Sequence, residues 1–213
     1  HARVVAVGSR QYAGQGVDAC WPHLAGLFPD LVFTGEDEVI AASDVVFCAT
    51  PHGATAPVVK KALDAGRSVV DLSADFRLSA GSYAEWYGGE HPHPELIPEA
   101  VYGLVELHRD ELVAKRLIAS PGCNATAASL ALAPLAAAGL LGPTAVVNVV
   151  TGVSGAGRAT SGPLHFPEMD GNARAYKPSG THRHTAEIEA TVGRVLKGGK
   201  RLSTHAPFEP YTA

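Results

Sequence analysis

Ser120-Pro121-Gly122-Cys123-Asn124-Ala125-Thr126 places one cysteine on a tight turn. A short apolar strand, Leu117 to Ala119, leads into it, and a long apolar helix, expected from Ala125 to Leu141, follows. A thiol at the first turn of a helix meets the positive end of the helix dipole and free backbone N–H groups. Both favour thiolate, the form that attacks carbonyl carbon. Strand–turn–helix corners are also where α/β enzymes present nucleophiles. A small buried cysteine that merely closes a helix end fits the same residues, and the local sequence leaves both readings open. A second group, His182-Arg183-His184-Thr185-Ala186-Glu187, opens a helix expected from Thr185 to Leu196. Its imidazoles suit general acid–base work beside a thiolate, and a plain polar helix start fits equally. No further ligand completes a zinc-site spacing, so no metal is expected.

Three other groups sit where strands end. Ser9 and Arg10 follow the apolar run Val4–Val7. In a doubly wound sheet the residue after the second strand meets the adenosine ribose, and an Arg there suits the 2′-phosphate of NADP. An exposed Arg at a strand end is the plainer alternative. Thr50-Pro51-His52-Gly53 follows a second apolar strand, where ligands lie in such sheets, or where an ordinary turn would stand. Thr151-Gly152-Val153-Ser154-Gly155-Ala156-Gly157-Arg158 follows a third strand and can cradle a small phosphate through backbone N–H groups. A nucleotide P-loop is rejected, because Arg158 stands at the Lys position and Ala159 where Ser or Thr would hold magnesium.

The elements that position these groups alternate. Strands are expected at Val4–Val7, Asp44–Ala49, Ser68–Leu72 and Leu117–Ala119, with a helix over Ala54–Ala65. Short continuous apolar strands separated by helices predict a parallel sheet covered on both faces, an α/β doubly wound architecture. The stretch Tyr83 to Leu107, rich in aromatics, Pro and Gly, is expected to be a surface excursion. A β-branched strand, Ala145–Val150, opens a second region. The division expected is a Rossmann-type domain over 1–122 and an α+β domain over 123–213. The sheet of the first is expected to lack its leading βα unit with the glycine fingerprint, and the second its C-terminal part, so the chain reads as an internal fragment.

The chain has 213 residues, 46% hydrophobic and 18% charged, with net charge −4. That is ordinary globular composition, with no basic tract for nucleic acid and no apolar run long enough for a membrane helix. Three separated cysteines, Cys20, Cys48 and Cys123, argue against a disulfide framework and for a reducing cytoplasm.

Taken together, the motifs resemble one family, the N-acetyl-γ-glutamyl-phosphate reductases of the aspartate-semialdehyde dehydrogenase superfamily. The matching stretches run in order over nearly the whole chain. They are Gly8-Ser9-Arg10-Gln11-Tyr12-Ala13-Gly14, Pro51-His52-Gly53, Asp71-Leu72-Ser73-Ala74-Asp75-Phe76-Arg77-Leu78 and Val101-Tyr102-Gly103-Leu104. Pro121-Gly122-Cys123, Gly152 to Arg158 and His182 to Glu187 complete them. The resemblance implies an NADP-dependent acyl-phosphate reductase that is a homo-oligomer. It implies Cys123 as nucleophile and His182 as acid/base, with His184 as alternative. Ser9, Arg10, Pro51, His52, Gly53, Ser154 and Gly155 would hold the cofactor, and Arg77, Asn124, Arg158 and Glu187 the substrate. Thr181 separates Gly180 from His182, where many members have Gly directly before His. Gly122 to Thr126 and Tyr176 to Gly180 also look like a sister branch that reduces aminoadipyl phosphate on an acidic carrier protein. Arg174, Lys177 and Arg183 would offer that carrier a basic groove. A non-catalytic truncated relative is the remaining alternative.

Overall fold

The computed structural model describes residues 2–158, 161–177 and 180–196 and the backbone of 208–212. In chain order these form β1 (Val7–Gly8), α1 (Val17–Cys20), β2 (Phe33–Thr34), α2 (Glu36–Ala42), β3 (Val45–Cys48), α3 (Ala56–Asp64) and β4 (Ser68–Asp71). Then follow α4 (Ala80–Tyr83), β5 (Ala100–Tyr102), α5 (Val105–Leu112), β6 (Leu117–Ala119) and α6 (Cys123–Ala137). The last are β7 (Val147–Thr151), α7 (Phe166–Met169), β8 (Arg174–Ala175), α8 (His184–Val195) and β9 (Phe208–Thr212).

Two compact units emerge, and their boundaries cross the linear division at residue 122. The first holds His1–Phe76, His91–Gly103 and His108–Ser120, and the second Arg77–Glu90, Leu104–Leu107 and Pro121–Ala213. Residues 77–90 and 104–107 thus pack with the segments that follow residue 120, whereas a reading along the chain leaves them with the first domain. The switch at 107/108 falls where His108 breaks the helical geometry of α5 (φ −126°, ψ 18°).

The first unit is α/β. Its main sheet is wholly parallel in the order β3-β4-β6-β5, and β1 pairs with β2, also parallel. The incomplete doubly wound sheet expected from the sequence is therefore present. α3 packs Ala56, Val59, Ala62 and Leu63 against Val46, Val69 and Leu117 of the strands. The helix stops because Gly66 takes φ +77°, so that Gly66 N–H and Arg67 N–H reach back to Leu63 O and Ala62 O.

Three expectations need correction. The run Val4–Val7 contributes only Val7 to β1, and Val4 and Val5 are exposed. On β3, Val46 and Cys48 are buried, whereas Val45 and Phe47 face outward, Phe47 at 66% exposure; this strand is covered on one face. The stretch Tyr83 to Leu107 is no surface excursion: it contains β5, and Leu96, Val101, Tyr102 and Leu104 are buried. Its three-residue strand hides between Pro and Gly punctuation. Gly103 is needed where it ends, since a Cβ there would stand 2.9 Å from Ile118 and 3.2 Å from Ala119 O.

The turn after β3 is fastened from inside. Asp75, fully buried, accepts from Gly53 N–H (2.7 Å) and Ala56 N–H (3.0 Å) through its two carboxylate oxygens. It caps α3 and holds the Pro51–Thr55 turn at the carboxyl end of β3. Asp75→Asn conserves shape but turns an N–H pair toward one of these donors. We expect a loss of about 2 kcal/mol in denaturant unfolding; wild-type stability would dismiss the cap.

The second unit is α+β. α6 lays Ala125, Ala128, Leu132 and Ala136 against Ile188 and Val192 of α8, the spacing of one helical face. Val147 and Val149 of β7 pack on the same cluster. β7 runs parallel to β9, and β8 antiparallel to it. α6 ends at Ala137, not Leu141, because Gly139 (φ +73°) lets Gly139 N–H and Leu140 N–H bond Ala136 O and Leu135 O. No described helix is long and apolar enough to cross a membrane.

Candidate active site

Cys123 is the first residue of α6 and is exposed, while Cys20 and Cys48 are buried. The buried cysteine that merely closes a helix is thereby ruled out. The residue before it is held on both sides. Gly122 O accepts from Thr126 N–H (2.8 Å) and Thr126 Oγ1 (3.0 Å). Gly122 N–H donates to Glu187 Oε2 at 3.0 Å. Asn124 is buried, with Oδ1 3.9 Å from the Cys123 sulfur.

α8 brings the imidazoles to this turn. His184 packs on Gly122 so closely that a Cβ on Gly122 would meet its ring. His182 lies edge-on to His184, ring centroids 4.5 Å apart, and Tyr176 edge-on to His182 at 5.7 Å. Glu187 Oε1 accepts from Arg77 Nη1 at 3.1 Å and lies 3.8 Å from His184 Nε2. Tyr87 stacks on Tyr83 (5.2 Å, 17°), and the Arg183 guanidinium lies over the Tyr87 ring, 4.9 Å from its centre. Burial, with Glu187 nearby, pushes the Tyr87 phenol up to about 12, so it stays a neutral O–H.

Burial pushes both imidazoles down to about 4. At His182 the charge His184 would carry on protonation and that of Lys177 add to this, and at His184 those of Arg77 and Lys177. Both are neutral at pH 7. The tautomer of His182 follows from its bond: Nδ1 accepts from His184 N–H at 3.1 Å, so the proton sits on Nε2. His182 offers an N–H donor there. In the unfolded chain each imidazole returns to about 6.5. Unfolded protein then binds more protons than folded between about pH 6.5 and 4, and stability falls as pH falls through that window. We expect a loss on the order of 2 kcal/mol between pH 7 and 5, discounted for coupling of the two rings. Melting curves at both pH values, beside a His182→Gln/His184→Gln variant, check this; an equal shift in the variant would assign the effect elsewhere.

The other expected residues occupy distinct places. Ser9 and Arg10 follow β1, with Ser9 Oγ accepting from Tyr12 N–H (3.2 Å) and Arg10, its side chain 89% exposed, 3.3 Å from Glu36. Lys61 and Arg10 hold the Glu36 carboxyl below its ordinary range. Pro51, His52 and Gly53 form the exposed turn that Asp75 fastens. Ser154, Gly155 and Arg158 are exposed on the turn after β7, and Gly155 N–H and Gly157 N–H are spent within it. Two of the amides that would cradle a phosphate are thus directed inward. Arg77 and Glu187 pair with each other in the interior, with side chains 9% and 0% exposed. Sequence reasoning gives Asp75 no role beyond its motif and singles out neither stacked tyrosine; the i, i+4 spacing of Tyr83 and Tyr87 is their only signal.

The described residues form a parallel α/β unit and an α+β unit, and in the second an exposed cysteine heads a helix whose turn packs against two neutral imidazoles. Two family models match it, "Semialdehyde dehydrogenase, NAD binding domain" over residues 1–115 and "Semialdehyde dehydrogenase, dimerisation domain" over 123–212. The chain belongs to the semialdehyde dehydrogenase family. It is 48% identical over 207 residues to an N-acetyl-gamma-glutamyl-phosphate reductase of Thermus thermophilus, covering 96% of this chain and 59% of that one. It is 44% identical over 201 residues to a LysW-L-2-aminoadipate/LysW-L-glutamate phosphate reductase of Saccharolobus solfataricus, covering 92% and 56%. The crystal structure of an aspartate semialdehyde dehydrogenase with NADP from Candida albicans shares the fold at TM-score 0.60 and 14% identity, over 99% of this chain and 60% of that one. The resemblance drawn from the motifs is thus borne out. The chain spans less than two thirds of the length of each of these proteins.

Proposed function

We propose that the protein containing this chain reduces N-acetyl-γ-glutamyl phosphate to the semialdehyde with NADPH, releasing phosphate, as an oligomer in the cytoplasm. In this reading the α/β unit serves the cofactor, and the unit that holds Cys123, with Arg77–Glu90 and Leu104–Leu107, serves the chemistry. The observation that carries it is Cys123, exposed at the head of α6 with the neutral His182–His184 pair packed at its turn. The Cys123 sulfur, as thiolate with its proton given up to solvent, attacks the acyl carbon, the carbon–oxygen bond to phosphate breaks, and phosphate leaves with that electron pair, giving a thioester. His182 Nε2–H donates a hydrogen bond to the carbonyl oxygen as negative charge gathers there. Breaking the carbon–sulfur bond of the reduced adduct returns the thiolate and frees the aldehyde.

The residues present fit a phosphorylated dinucleotide. The Arg10 fork keeps donors beyond the one that faces Glu36, and the Ser9 hydroxyl stands beside it. The Pro51–Gly53 turn lies at the carboxyl end of a parallel strand. NADPH, when bound, would supply the hydride. Arg10→Asp is expected to shift the NADPH/NADH preference about 100-fold or more toward NADH; an unchanged ratio would remove Arg10 from the cofactor.

A second reading, reduction of a carrier-linked aminoadipyl phosphate, is favoured by the LysW-type relative and by the exposed Arg174 and Lys177. Arg183 is committed to Tyr87 instead. Assaying the full-length protein with both acyl phosphates decides. Turnover of the acetylated substrate alone is expected. Turnover of the carrier-linked one alone would replace the first reading. No turnover of either, with no NADPH binding, would leave a non-catalytic relative.

A further inference from the structure

Glu187 makes poor sense as a stability element. An isolated buried carboxylate costs several kcal/mol, and its ion pair with Arg77 does little more than offset that; an apolar pair of the same volume would serve the core as well. It makes equally poor sense as a substrate contact, because it is 1% exposed and its oxygens point inward to Arg77 Nη1 and Gly122 N–H. What it does hold is the peptide immediately before Cys123. Gly122 is fixed at its N–H by Glu187, at its carbonyl by Thr126, and at its α-carbon by the His184 ring. Three restraints on one residue, two of them from α8, leave the direction of the next Cα–Cβ bond little freedom.

We propose that Glu187 is a positioning residue, whose carboxylate clamps the Gly122 amide and so aims the Cys123 sulfur, with Arg77 as the counter-charge that lets the carboxylate be buried there. This rests on the reading of Cys123 as nucleophile. Reacting atoms must meet within a few tenths of an ångström, and a displacement of about 1 Å costs on the order of 100-fold in rate.

The test uses two variants of the full-length protein, read by turnover and by alkylation of Cys123 with iodoacetamide, mapped by mass spectrometry. Arg77→Met/Glu187→Met removes the buried charges together and leaves Gly122 N–H without this acceptor. It is expected to fold, to keep KM within about twofold, and to lose about tenfold or more in both kcat and alkylation rate. Glu187→Gln keeps an acceptor for Gly122. It is expected to be less stable but to alkylate within about threefold of wild type. Wild-type kcat and alkylation in the double variant would overturn the assignment. So would a raised KM at unchanged kcat, which would make the pair substrate contacts, or unfolding of both variants, which would make Glu187 a scaffold group alone. Alkylation needs no catalysis, so it reports on Glu187 even if Cys123→Ala were to retain turnover and the nucleophile reading failed separately.

Discussion

Cys123→Ala in the full-length protein is expected to lower turnover by about four orders of magnitude or more while leaving the fold intact. The expectation of an intact fold comes from position. The side chain is exposed, so its removal opens no cavity, and alanine is a good residue for the first turn of a helix. The bonds that shape the turn run through Gly122, Thr126 and Glu187 and not through the sulfur. The expectation of lost turnover comes from covalent chemistry: without sulfur no thioester forms, and among the described residues the other cysteines, Cys20 and Cys48, are buried. Burial, with Asp71 nearby, also pushes the Cys48 thiol up to about 12, which makes it a poor nucleophile. Cys123→Ser keeps shape with a far weaker nucleophile and is expected to lose nearly as much. Release of phosphate in a single turnover, with circular dichroism as the control for folding, is the measurement. Turnover near the wild-type rate in Cys123→Ala would end the covalent reading.

Legibility in the sequence followed the range of the interactions. The Cys123 turn, α3, β3, β4 and β6 were readable because their signals are local: an apolar run, a helical spacing, a turn residue at each end. β5 was not, because a three-residue strand between prolines and glycines carries no periodicity and is a strand only by pairing with β6, whose residues lie 17 positions further on. The end of α6 was readable in principle, since Gly139 stands two residues after the last helical one, but the apolar Leu140-Leu141 that follow imitate more helix. The division of the chain was obscured for a different reason. Residues 77–90 and 104–107 leave the first unit and return to it, and no composition shift marks those crossings. At the site, the family motifs picked out Cys123, His182, His184, Arg77 and Glu187 as candidates but not what each touches. The pairing of Arg77 with Glu187 joins residues 110 positions apart, and only the folded chain shows that both turn inward. Asp75 is the same case, a motif residue whose work is to fasten a turn 19 to 22 positions before it.

Gly122→Ala should be nearly as damaging as loss of a catalytic group, although it adds one methyl. The backbone itself raises no objection: Gly122 has φ −69° and ψ 148°, which any L residue adopts. The obstacle is the His184 ring. A Cβ would collide with Nε2 and stand 2.6 Å from both Cδ2 and Cε1. The ring has little room to yield, because it is packed edge-on to His182 and its Nδ1 is buried. Moving it shifts His182, the neutral N–H donor, and strains the Gly122–Glu187 bond at the same time. Overpacking of this kind costs about 1–3 kcal/mol in stability, and misplacing donor and sulfur together costs about 100-fold or more in kcat/KM. A second-site change separates the two effects. Gly122→Ala/His184→Ala makes room for the methyl and is expected to recover most of the lost melting temperature. If His184 only packs, activity should return with it; if activity stays low in a variant as stable as wild type, His184 takes part in the chemistry beside His182. A single Gly122→Ala variant with wild-type kcat/KM would show that the turn before Cys123 tolerates displacement, and the positioning of the thiol by this residue would have to be abandoned.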